Sequence, residues 1–403
     1  MIKAHSLLYA LYICLIVSII CGALLYFSNL YNQLNLYYNL QEELYIQNQS
    51  VVNFALGNKM VPTEVEKEQN SSIEGSYETK PYGLFSIVLA NSYIAKDTVA
   101  SVYFVGASGT DKTAIYLSNL SKSLTYSGKI KLVGNCQLPS TFIETSYINN
   151  SKNQLLAEGK NTISEPQLPI INSDFKKIFE GTKFEKTKLN DIDKPLDSLY
   201  FNSFFNATKE IQVKATLANI ILKGNFILRS EDSIRVKKNA ILEDVILIAP
   251  KITFEAGFTG TVQAFAKKGI ELEEKVVLNY PSVICVYNDS ENESKIKIKK
   301  ECLIAGAIVL FGNSLEMNDK NSIEIDQEGL LFGDLYCTGK LMLKSNVYGS
   351  VYTNRFFFKT NSSTYDNMIS DVEINTTKRP NYFISIPLFN TPKTTYGIIK
   401  KVL

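Results

Sequence analysis

The sequence contains no tryptophan and only one histidine, His5, among 403 residues. His5 precedes the first apolar run. The rest of the chain therefore lacks the side chain behind most acid–base pairs, catalytic triads and common zinc sites. Neither sign of charge is in excess: 42 Lys+Arg stand against 40 Asp+Glu. With no dense basic patch, nucleic acid is excluded as a partner. No C-x-x-C pair occurs. Cys14 and Cys21 fall in the apolar run, and Cys136, Cys285, Cys302 and Cys337 are scattered. These four read as small apolar core residues, with one disulfide among them as the alternative. No proline precedes Pro62, and no glycine lies between Gly22 and Gly57. The absence of both breakers permits a long helix.

Leu7 to Phe27 carries no charge over 21 residues. At about 1.5 Å per residue, that length crosses a hydrocarbon layer of about 30 Å. No small-residue cleavage site ends it, and Ile13 and Ile20 precede the two cysteines where a lipoprotein signal needs a small residue. The run predicts an uncleaved anchor. Lys3 lies before it, and the next basic residue is Lys59. The positive-inside rule puts residues 1–6 in the cytoplasm and the bulk on the far side, periplasmic or extracellular. Residues 28–57 continue as a helical stalk. Leu30, Leu34, Tyr37, Leu44 and Val51 recur at 3–4 spacing, interrupted by Gln41 and Asn48, and Gly57 is the stop. One helix over 7–56 is expected, its apolar stripe meeting either the β domain or another helix. This layout resembles the type IV pilin-like proteins, especially minor pseudopilins. The resemblance implies assembly with copies or protein partners through the helix. The chain lacks their Gly/Ala–Phe/Met processing site and their glutamate near the start of the run.

Residues 58–80 are polar and read as a linker. Residues 81–195 read as a β-rich region, with strand-like runs GLFSIVLA, VASVYFVG, TAIYLSN and KIKLVGN. LVGNCQLP (132–139) and TISEPQLP (162–169) end alike, through either a degenerate repeat or coincidence. GASGTDKT (106–113) approaches a phosphate-binding loop, but Asp111 replaces its second glycine. An acid there opposes phosphate, so a turn is expected.

Six segments then repeat a pattern. They open at Ile234, Ile252, Ile270, Ile296, Ile323 and Leu341, at spacings of 18, 18, 26, 27 and 18 residues. Each opens apolar-x-apolar, with small or apolar residues four and six places after the second apolar residue. The two long intervals hold polar insertions. A period near 18 is too short for a propeller blade or a helical repeat. It suits a parallel β-helix of about six to eight coils over 196–372. Val236, Phe254, Leu272, Ile298, Ile325 and Leu343 are predicted to form one inward column. The outward pairs alternate in sign, except where Glu255 stacks over Glu273. Residues 373–403, with Pro380, Pro387 and Pro392, read as a tail docked on the coils.

GLLFGDLYCTGKLMLKSNVYGSVYTN, within 329–367, resembles the bactofilin-type polymer-forming β-helices, with Gly333, Gly339 and Gly349 as corner residues. That resemblance implies a scaffold. Glu255, Glu271 and Glu273 could be read as a glycosidase cluster, but Lys297 and Lys299 neutralise them. The expectation is a mainly β, single-pass membrane protein of the bacterial envelope, structural or assembling, with no enzymatic activity, cofactor or metal. A carbohydrate-binding or carbohydrate-active β-helix is the alternative, marked by a groove of aromatic and acidic residues.

Overall fold

The structure, a computed structural model, describes residues 4–58, 60–61, 73–109, 112–148, 152–180, 186–188, 199–289, 292–312, 320–360, 362–389 and 394–402. It is mainly β, with one long apolar helix, Ala4–Gly57, at the N-terminus. The chain divides into two units. One comprises residues 1–78 and 89–101, the other residues 79–88 and 102–403.

In the first unit the helix runs without a break, since nothing in it removes a backbone donor or forces φ positive. Leu44, Val51, Val52 and Ala55 on its last turns are buried. The strand Glu74–Tyr82 begins in this unit. Residues 74–80 are therefore strand, not linker. Their polar composition hides this because most of their side chains stay partly or fully exposed. The remainder of the 58–80 linker lies largely outside the described residues.

The second unit is built on a large parallel sheet. Successive openings of the six repeats are paired in one register: Ile234 with Ile252, Ile252 with Ile270, Ile270 with Ile296, Ile296 with Ile323 and Ile323 with Leu341. The two long intervals leave the register of the described strands intact. After the opening, Leu278 pairs with Ile304, Ile304 with Leu331, and Leu331 with Val347. The last repeat is therefore two residues shorter over this interval than the one before it.

The division of 81–195 from 196–372 does not hold. Thr113–Leu117 pairs in parallel with Asn346–Lys359, placing Ile115 beside Val351. Lys129–Val133 pairs with Glu373–Asn375, and outward from these lie Asn135–Leu138, Gln154–Glu158 and Asn161–Ile163. One hydrophobic core runs from Ala114 through Ile374. A strand edge requires register, not sequence adjacency, so an earlier stretch completes the stack beyond its last repeat. LVGNCQLP and TISEPQLP do meet, but with Gln137 beside Thr162. Their shared QLP is not the register.

The tail is more regular than its prolines imply. Glu373–Asn375 belongs to the parallel sheet, and Thr395–Val402 pairs antiparallel with residues 102–108. The intervening residues 380–389 are irregular, with Ile384 held by the Tyr280 hydroxyl, which donates to its carbonyl at 3.0 Å.

Candidate functional site

Two features can carry function here: the N-terminal helix and the surfaces of the parallel stack. On the helix, the structure separates the five stripe positions. Leu30, Leu34 and Tyr37 are 41%, 49% and 51% exposed, whereas Leu44 and Val51 are fully buried. The stripe is therefore covered at its C-terminal end and bare before it. Gly75 makes this packing possible, because a Cβ there would collide with Val51. Asn48, which interrupts the apolar spacing, lies at the centre of the covered part. Its side-chain amide donates to the carbonyls of Ala90 (2.9 Å) and Val99 (3.1 Å), and the Ser101 hydroxyl donates to its oxygen. A buried polar group satisfied in this way fixes helix rotation and height, because any slip leaves it unpaired. Spacing alone could not find this role. A lone Asn among apolar neighbours at helical period is the available signal.

By length and composition, this helix is the one candidate membrane span among the described residues. Its large apolar side chains from Leu7 to Phe27 are all more than half exposed.

On the stack, Val236, Phe254, Leu272, Ile298, Ile325 and Leu343 are neighbours in the paired register, and all are buried in the common core. The outward faces carry ion pairs. Lys237 meets Glu255 at 2.9 Å, Lys299 meets Glu273 at 2.5 Å and Glu271 at 3.4 Å, and Lys295 meets Glu324 at 2.5 Å. Glu255 and Glu273 thus pair away from each other, which relieves the like-charge junction. The hydrogen bond from Lys237, then that from the Lys238 backbone, holds the Glu255 carboxyl below its ordinary range. A proton donor for glycosidic cleavage needs the opposite shift.

The four scattered cysteines are free and buried. Burial pushes the thiols of Cys136 and Cys302 up to about 11 and that of Cys337 to about 12, and it raises Cys285 as well. Thiolate is the reactive species. Iodoacetamide at pH 8 should therefore leave these four unmodified in the folded protein and alkylate all four in urea, as read by intact mass.

The parallel sheet and the tail also form an open pocket of about 290 Å³ lined by Asp334, Tyr352, Arg379, Ser385 and Phe389, among others. Arg379 donates to one Asp334 oxygen, and Ser385 donates to the other at 2.5 Å. The carboxylate is thus engaged in fastening the tail. Sequence reasoning missed this group, because Asp334 lies 45 residues before Arg379 and 51 before Ser385.

At the edge of the sheet, among the described residues, Gln154–Glu158 and Asn161–Ile163 each have one pairing partner, Lys129–Val133 and Asn135–Leu138. Phe142, Tyr147, Leu156 and Ile163 are 78%, 87%, 45% and 66% exposed there.

Comparison with protein-family models, curated proteins and solved structures finds no match to this chain. Function must be argued from the chain's own geometry. Among the described residues, no group of three or more His, Cys, Asp or Glu could hold a metal ion.

Proposed function

We propose that this chain is a membrane-anchored structural protein of a bacterial envelope. In this reading the helix crosses the bilayer once, residues 1–6 stay in the cytoplasm, and the β part lies beyond the membrane. The parallel sheet is a β-solenoid of stacked coils, a rigid body that presents surface instead of performing chemistry. The observation carrying the reading is the contrast along one unbroken helix. Its first half is uncharged and bare, as a lipid-facing segment must be. Its last turns are seated by Asn48, Leu44 and Val51. Leu30, Leu34 and Tyr37, bare beyond the span, offer a surface to a further helix, in the manner of pilin-like assembly. The carbohydrate alternative rests on the Asp334 pocket, where the acid is already paired within the chain.

The test is topological. In a Cys14→Ser, Cys21→Ser background on spheroplasts, a membrane-impermeant maleimide should label Lys96→Cys from outside. Ser6→Cys should react only after permeabilisation. The reverse pattern, or release of the protein by alkaline washing, would sink the proposal.

A further inference from the structure

The outer end of the stack is an unfinished core. Leu124, Ile130, Leu132 and Leu138 in the layer beneath are essentially inaccessible. Ile163, paired above Leu138, is 66% exposed, and Leu155, paired above Ile130, is only partly buried. These residues occupy the same inward columns, but among the described residues nothing pairs with their far side. The edges themselves, QLLAE and NTI, contain no lysine or proline of the kind that blunts open strands.

We propose that this end is closed by the same end of a second copy, through two-fold antiparallel pairing of Gln154–Glu158 about Leu156. The edge is complementary to its own reverse. Gln154 comes to lie opposite Glu158, so an amide donates to a carboxylate. Leu155 lies opposite Ala157, large beside small, on the face that continues the core above Ile130 and Leu132. Leu156 meets its own mate. Such an isologous contact closes on itself, and it satisfies both edges at once. Within one chain the sheet already extends by strand pairing, there in parallel. The layers of residues 113–163 join Asn346–Lys359 and Glu373–Asn375 by strand pairing between stretches remote in sequence.

The experiment uses the full chain in detergent micelles with Cys14→Ser and Cys21→Ser. Opposed residues of a non-hydrogen-bonded antiparallel pair suit a disulfide. Leu156→Cys should therefore form a linked dimer about tenfold faster than the exposed Lys251→Cys control. Adding Ala157→Arg, a change at an exposed position, should return that rate to the control level while the circular dichroism spectrum stays unchanged. Replacing residues 1–28 by an unrelated span should leave the Leu156→Cys dimer intact. Equal rates for Leu156→Cys and Lys251→Cys would overturn the proposal, as would insensitivity to Ala157→Arg or loss of the dimer with the span.

Discussion

Replacing Ile298 by Asp should destabilise the β part by about 4 kcal/mol or more. Ile298 is 2% exposed and sits between Leu272 and Ile325 in a paired column. Its neighbours are apolar, so a carboxylate there loses hydration with no partner to replace it. Two further terms add to this: the lost transfer energy of the isoleucine and the poor fit of the smaller side chain. The expected result is a large fall in the urea midpoint monitored by circular dichroism. Lys297→Ala, one position away and facing outward, should shift that midpoint little, because exposed charges contribute little. A variant Ile298→Asp that melted like the parent would refute the placement of this column inside the core.

The second large effect should come from a substitution that removes nothing. Gly306 pairs with Ser282, Gly333 with Gly306 and Gly349 with Gly333, forming a file across successive paired strands. Gly333 has φ +133°, and a Cβ there would collide with the Gly306 carbonyl oxygen. Gly333→Ala should cost about 3 kcal/mol or more, because both the backbone conformation and the layer spacing must yield. Gly57→Ala is the control, since a Cβ there meets nothing within 4 Å. Comparing the two urea midpoints separates a steric effect from a general change in chain entropy.

How much could be read from sequence follows from what repeats. A long helix free of Pro and nearly free of Gly, and a mainly β remainder, are legible because backbone preference and apolar spacing act locally. The segments from Ile234 to Leu341 share a pattern because each must offer apolar side chains at i and i+2 to the same core. Residues 113–163 share no such pattern. Ile115 pairs with Cys136, 21 residues on, and Ile130 with Leu155, 25 residues on. Connections of unequal length erase the period while leaving the ladder intact. Glu74–Lys80 is polar because its side chains stay partly or fully exposed, so composition alone makes it resemble a linker. Asn48 reads as a break in a stripe because spacing does not register a hydrogen bond. The Asp334–Arg379–Ser385 group leaves no local trace, since Asp334 belongs to a stretch distant from the tail that carries Arg379 and Ser385.

The order in which the layers are joined bears on how the chain can be made. Ser118 and Asn354, hydrogen-bonded at 2.8 Å, are 236 residues apart. Residues 113–163 emerge early in synthesis, yet the surface they rest on is made only when the strand Asn346–Lys359 appears. At about 5–20 residues per second, that interval lasts on the order of ten seconds or more. Throughout it, Ile115, Leu117, Leu132 and Leu138 have no core to enter. Loop closure over such a distance also slows the final step. A nascent intermediate with these apolar side chains uncovered is therefore built into the connectivity of this fold.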